Sequence, residues 1–241
     1  MKRAVLLFWM FWVGAAASQV QPIRAVTEAT PYTYMEGSKV IGTATEVVEL
    51  TLQRAGLKDY SVHLYPWARA YDMALKEPNV LIFLIARTPV REQQFRWAGE
   101  IMKIQYHLYR LKSRALDIST LESAKAYTIG VMRDDVRQQY LRSKGFERLV
   151  VSAQPLDNFR KLLRGQVDLV PLTTGDAGLL CQQAPFDCAG LERVLTLDEA
   201  SAGLYMAYSL QTPQEVVQRT QQAFDRLKAE GLVQRIMDRT P

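Results

Sequence analysis

Cysteine and histidine are scarce in this 241-residue chain, which carries only Cys181, Cys188, His63 and His107. Two cysteines cannot build a disulfide scaffold, and two distant histidines offer no metal-ligand cluster. The common catalytic signatures are missing too. There is no Gly-x-Ser-x-Gly elbow, no phosphate-cradling glycine loop and no dinucleotide fingerprint. Charge of one sign does not dominate, because 30 Lys plus Arg stand against 25 Asp plus Glu, a net of +5. The bases are scattered rather than clustered, which argues against nucleic acid as a partner. What is there is ordinary: 48% hydrophobic and 23% charged residues exclude a disordered, fibrous or multi-span membrane chain. The length fits one large domain or two small ones.

The N-terminus departs from this pattern. Lys2 and Arg3 precede an apolar run over 4–13, followed by Gly14 and the small residues 15–18. A basic start, a short apolar core and an Ala-x-Ala end make a secretory signal peptide over 1–18. A membrane anchor needs about 20 apolar residues, and Gln19, Gln21 and Arg24 end this run too early. No cysteine follows it to take a lipid, so the expected location is the periplasm, without a lipid anchor. Cys181 and Cys188 flank a polar stretch, and in an oxidising compartment they are expected to form a small disulfide. Two buried thiols are the alternative.

The body alternates β-rich runs with amphipathic helices. Strands are expected over 23–27, 62–65, 80–86, 128–132, 149–152 and 167–172. Several are apolar throughout, as suits strands buried on both faces. Helical stripes recur at Ala44, Val47, Val48, Thr51 and Ala55, and at Leu156, Phe159, Leu162 and Leu163. For the last helix, Thr212 reads as the N-cap, Pro213 as the first helical residue and Glu215 as the capping-box carboxylate. Such alternation means an α/β fold with mainly parallel sheets flanked by helices. Two longer runs, 104–112 and 204–210, fit either antiparallel segments or connections between two lobes.

In open α/β sheets ligands bind beyond the carboxyl ends of the strands. The first expected strand is followed by Glu28, Tyr32 and Tyr34, the second by Trp67 and Arg69, and the third by Arg87 and Arg91. Aromatic walls with a few charged groups suit a small-molecule cleft, and arginine forks can grip a carboxylate. Asp135, after the strand at 128–132, and Thr173, after 167–172, extend the candidate set. Each has a duller role as a helix cap. No nucleophile–histidine pair can be assembled, although Glu28 is a candidate acid–base carboxylate.

Taken in order, several blocks resemble the family 3 periplasmic solute-binding proteins of the polar amino-acid type. They are Pro31-Tyr32-Thr33-Tyr34 with the later Gly42, Tyr65-Pro66-Trp67-Ala68-Arg69-Ala70, Ala86-Arg87-Thr88-Pro89-Val90-Arg91, and Gly165-Gln166-Val167-Asp168. The resemblance implies a two-lobed, type II binding-protein fold with the ligand cleft between lobes. It places a first lobe over 19–106, a second over 107–203, and the returning part of the first over 204–241. It implies that Arg91, in the Thr-Pro-x-Arg position, meets a ligand carboxylate, with Arg87 as its competitor. The chain also departs from the family. Thr173 stands where an aspartate usually holds an α-ammonium, Asp134-Asp135-Val136 replaces a Gly-Ser/Thr-Thr turn, and Leu84 and Ala86 fill positions usually held by serine or glycine.

The sequence therefore reads as a monomeric periplasmic protein that captures a small polar solute, amino acid-like or a small carboxylate, by hinge closure. Its partner would be an ABC permease in the inner membrane, with no cofactor, metal or catalysis. The alternatives are an enzyme on the same scaffold, like the cyclohexadienyl dehydratases, and a stand-alone solute sensor without a transporter.

Overall fold

The structure, a computed structural model, describes residues 22–239; the expected signal peptide lies outside the described residues. Elements follow in the order β1 (Ile23–Thr27), β2 (Tyr34–Glu36), β3 (Lys39–Ile41), α1 (Thr43–Arg54), β4 (Tyr60–Leu64), α2 (Trp67–Lys76), β5 (Val80–Ala86), β6 (Phe95–Ile104) and β7 (His107–Leu111). Then come β8 (Ile129–Met132), α3 (Val136–Ser143), β9 (Leu149–Ser152), α4 (Pro155–Leu163), β10 (Val170–Leu172), α5 (Thr174–Gln183), β11 (Leu191–Thr196), β12 (Ala202–Ser209), α6 (Gln214–Ala229) and α7 (Leu232–Met237).

The strands assemble into two lobes. One is built on a five-stranded sheet ordered β4-β1-β5-β12-β6, and the other on the sheet β10-β7-β11 beside the pair β8-β9. The strand β5 has every residue buried, which explains its unbroken apolar sequence at the centre of the first sheet. The sheets are mixed rather than mainly parallel. The pairs β1/β4, β1/β5 and β8/β9 are parallel, while β12 runs antiparallel to both β5 and β6, and β7 antiparallel to β10 and β11. The two long runs account for this. Residues 104–112 span the passage from β6 into β7, and 204–210 fall largely in β12, which carries the chain back into the first sheet.

Helices cover the sheets with the faces their periodicity dictates. On α6, Val216, Val217, Thr220, Ala223, Phe224 and Leu227 are all buried. Its start differs from expectation: Pro213 is the N-cap and makes no side-chain cap, while Thr212 hydrogen-bonds the Ser209 hydroxyl at 2.9 Å. A proline's fixed φ serves the entry, and the threonine is drawn off by a nearer buried partner. A disulfide joins Cys181 at the end of α5 to Cys188. Among the described residues no helix is long and apolar enough to cross a membrane.

Candidate functional site

The carboxyl ends of β1, β8 and β10 meet where the two lobes face each other. There they enclose a cavity of about 60 Å³, lined by Glu28, Tyr32, Tyr106, Arg137, Thr173 and Asp176 on its polar side. Leu84, Ile104, Leu172 and Leu204 form much of its apolar wall. Such a volume holds roughly a few water molecules or a compact organic ion.

Glu28 follows directly on β1 and comes from the first lobe. No hydrogen bond or ion pair within the described residues satisfies its carboxyl group. Burial therefore pushes it up to about 8, with the Arg137 guanidinium pulling the other way and the Asp135 and Asp176 carboxylates adding to the rise. Tyr32 is placed by a backbone clamp, in which its carbonyl accepts the Ala44 N–H at 3.0 Å. Gly42 makes the close approach feasible, since a Cβ there would stand 2.3 Å from the Tyr32 oxygen and its φ is +120°. Burial and Asp176 raise the Tyr32 phenol.

The second lobe supplies Arg137, Thr173 and Asp176. Arg137 and Asp135 form a buried two-pronged pair, with Nε at 2.5 Å from Oδ1 and Nη2 at 3.1 Å from Oδ2. A third donor, Nη1, reaches the Pro171 carbonyl at 3.2 Å, and the guanidinium lies 4.9 Å from the Tyr106 ring centre. Burial would raise the Asp135 carboxyl, but the guanidinium beside it holds it below its ordinary value. Arg137 in turn is held well above its own value, since Asp135 outweighs the cost of burial. Asp135 also caps α3 by accepting the Arg137 N–H. Thr173 caps α5 in a reciprocal box with Asp176 while both line the cavity.

Of the residues singled out in the sequence, Glu28, Tyr32 and Thr173 line this cavity and the others lie elsewhere. Tyr34 is exposed in β2, beside Tyr32, along a wider outer groove between the β2–β3 hairpin and α5. Arg69 is exposed and stacks over Tyr65, 4.4 Å from its ring centre. Arg87 is turned to Glu92 in two hydrogen bonds of 2.8 and 2.6 Å, with its guanidinium near the Trp97 and Tyr205 rings. Trp67 and Arg91 are buried, and both reach across to the second lobe: the indole Nε1 and the Arg91 Nη2 each donate to the Asp134 carbonyl at 3.0 Å. Asp135 is spent on Arg137 and the helix cap.

Arg137, Tyr106 and Leu84 were not among the sequence candidates. One signal existed for the first: a cation in the opening turn of a helix opposes the macrodipole, so Arg137 is locally misplaced unless a partner such as Asp135 holds it. Leu84 has φ +58° in the middle of β5, at a register shift against β12 where Phe83 and Ile85 pair with Met206 and Tyr205. This β-bulge gives the leucine its place on the cavity wall.

No protein-family model matches the sequence, and a search of the curated proteins returns no match. Solved structures do match. A histidine kinase sensor domain with similarity to periplasmic binding proteins aligns at TM-score 0.81 and 16% identity, covering 91% of this chain and 96% of that one. An ancestral arginine-binding protein bound to arginine aligns at TM-score 0.77 and 18% identity, covering 91% and 97%. The chain has the periplasmic binding protein fold. The arginine-, lysine-, histidine-binding protein ArtJ from Geobacillus stearothermophilus shares it at TM-score 0.76 and 18% identity, covering 91% and 95%. In this binding-protein fold the cavity lies between the two lobes, at the expected cleft.

Proposed function

We propose that this protein is a periplasmic solute-binding protein that captures a small polar solute between its lobes without chemical conversion. One observation carries the reading: a cavity between the lobes holds a carboxyl group, that of Glu28, with no hydrogen-bond partner among the described residues. A buried polar group without a hydrogen bond costs free energy, which a bound solute can recover. The lining comes from both lobes, Glu28 and Tyr32 from one and Thr173, Asp176 and Arg137 from the other. A solute touching both favours the closed arrangement. Delivery to an ABC permease by a monomer divided as 19–106, 107–203 and 204–241 belongs to the same proposal.

A thermal-shift screen of the exported protein against polar metabolites tests it. A solute at 100 times its dissociation constant stabilises by about 2.7 kcal/mol. A hit should also leave the radius of gyration at its compact value when the cleft is loaded. A screen in which no solute raises the melting temperature counts against capture.

A second reading is favoured by the sensor domain with TM-score 0.81. In it the loaded cleft signals to a partner protein rather than to a permease. Uptake of the identified solute by cells with and without this chain separates the two, since only the importer reading requires uptake to fall.

A further inference from the structure

The cavity has a charge balance that its size does not suggest. Its immediate surroundings hold three carboxyl groups, Glu28, Asp135 and Asp176, against one guanidinium, Arg137. That guanidinium is already committed, with Nε and Nη2 on Asp135 and Nη1 on the Pro171 carbonyl. A carboxylate entering the cavity would find no free fork to grip. The arginines that the sequence offered for that purpose are engaged away from it: Arg91 at the Asp134 carbonyl, Arg87 at Glu92 and Arg69 at Tyr65.

What remains unmatched is acceptor capacity. Glu28 faces the cavity from the end of β1 in the first lobe. Asp176 faces it from the first turn of α5 in the second, with one oxygen accepting the Thr173 N–H at 3.4 Å. Two carboxyl groups facing one small space repel each other when both are ionised, and a cation between them turns repulsion into a bridge across the cleft. The Tyr32 ring and phenol oxygen add a further surface that favours a cation. Leu84, Ile104, Leu172 and Leu204 fill the rest of the wall, and Arg137, the one cationic group of the lining, already has its fork on Asp135 and a further donor on Pro171.

Resting on the solute-capture reading above, we propose that the cleft takes a compact organic cation without a carboxylate, of the alkylammonium or guanidinium class, held between Glu28 and Asp176. The solute is then chemically distinct from an α-amino acid, which would have to place its carboxylate beside these acids.

The proposal has a protonic consequence. Glu28 is surrounded by Arg137 and Asp135 from α3 and its cap, by Asp176 from α5, and by the Tyr32 and Tyr106 rings. Burial keeps it protonated below about pH 8 in the empty cavity. A cation favours the ionised form, so its binding expels a proton below that pH. Affinity then rises as pH rises, by roughly fiftyfold from pH 6 to pH 8, where the ionised fraction of the empty protein grows from about a hundredth to about a half.

Isothermal titration of the exported protein with guanidinium chloride and methylammonium chloride at pH 6 and pH 8 tests this, with L-arginine, L-glutamine and acetate as the carboxylate-bearing set. The expected result is binding of at least one small cation, with release of close to one proton at pH 6, read from buffers of different ionisation heat. Glu28→Gln should weaken it thirtyfold or more, in line with loss of one partner of a buried charge pair. Glu28→Asp, which keeps the charge and shortens the reach, should weaken it less, and it serves if the glutamine variant fails to fold. The pH dependence in the parent protein needs no variant. If arginine, glutamine or acetate binds and neither small cation does, the cation assignment is wrong and solute capture stands. If a cation binds without proton release and equally well in Glu28→Gln, the assignment to Glu28 is wrong. If no probe binds, the cation proposal fails, and the metabolite screen alone then decides solute capture.

Discussion

The Nη2 of Arg91 lies 3.0 Å from the carbonyl oxygen of Asp134, so a guanidinium buried in the first lobe holds the backbone of the second. It sits between the Trp67 and Tyr71 rings, 5.5 and 4.9 Å from their centres, and the Trp67 indole donates to the same carbonyl. Asp134 is itself in the left-handed region at φ +58°, a backbone posture that a residue keeps only when its surroundings hold it there. Met132 of the second lobe packs into the cluster formed by Trp67, Tyr71 and Phe95, so apolar contact accompanies the hydrogen bonds. The Nε of Arg91 is buried without a hydrogen-bond partner, so this latch leaves one of its three nitrogens unsatisfied.

Arg91→Met keeps the length and apolar character of the side chain and removes every donor. Loss of a hydrogen bond to a charged group costs about 1.5–3 kcal/mol. The ligand-free variant should therefore populate more open forms, with a larger radius of gyration in small-angle scattering than the parent. Trp67→Phe, which removes only the indole N–H, should shift it less. A radius equal to the parent's in Arg91→Met would mean that Met132 and its neighbours hold the lobes alone.

The Cys181–Cys188 disulfide closes a short loop between α5 and β11. By loop entropy a bridge of this span stabilises by about 2–3 kcal/mol. The double variant Cys181→Ser, Cys188→Ser should lower the denaturant midpoint accordingly. Exported parent protein should show no free thiol after denaturation, and two titratable thiols would remove the bridge from the account.

Leu84 offers a test of strain. A side chain at φ +58° costs about 1–2 kcal/mol relative to ordinary backbone, and a β-branched residue suffers more than leucine there. Leu84→Gly relieves the backbone and widens the cavity. Leu84→Ala also removes volume but keeps the strain, and it differs from glycine by one buried methyl worth about 0.8 kcal/mol. Glycine should thus be tolerated as well as alanine or better, by up to about 1 kcal/mol, where an unstrained buried site would favour alanine. An alanine variant more stable than the glycine one by about 1 kcal/mol would show that the backbone at Leu84 carries no strain.

Much of the fold could be read from the sequence because burial sets its pattern. The strands β1, β5 and β9 occupy the expected residues, and the expected stripe of Ala44, Val47, Val48 and Thr51 is buried on α1, since apolar periodicity reports which face is covered. The strand at 167–172 shrinks to Val170–Leu172 because Val167 and Asp168 are used by the preceding turn, where Asp168 receives the Thr128 N–H and hydroxyl. The candidate site was harder to read. Which strand-end residues face the cavity depends on how the lobes meet, and no local pattern encodes that. Arg87 and Arg91 look alike as residues near a strand end, yet one pairs with Glu92 at the surface and the other crosses to Asp134. Arg137 sits in the first turn of α3 beyond β8, where its role depends on the pair it makes with Asp135.

Two carboxyl groups, the partly buried Glu28 and the buried Asp135, give stability a pH dependence of opposite sign. Glu28 stands near 8 in the folded chain against an ordinary 4.5, raised by burial. A group whose folded value lies above its unfolded one lends its full stability below the unfolded value and loses it as pH rises through the folded one. The ligand-free protein should thus weaken between about pH 4.5 and pH 8 by an amount on the order of a few kcal/mol. Glu28→Gln removes the ionisation, so the variant should match the parent near pH 4 and exceed it at pH 8 and above in denaturant unfolding. Asp135 works the other way. Its folded value is depressed beside Arg137, so its contribution is present above the ordinary carboxylate value and is lost as pH falls through the folded one. Asp135→Asn leaves the Arg137 charge buried with half its partner and should cost about 3–5 kcal/mol at neutral pH, with the loss shrinking in acid. Parent and Glu28→Gln curves that run parallel from pH 4 to pH 9 would mean that the Glu28 carboxyl is solvated in the empty cleft.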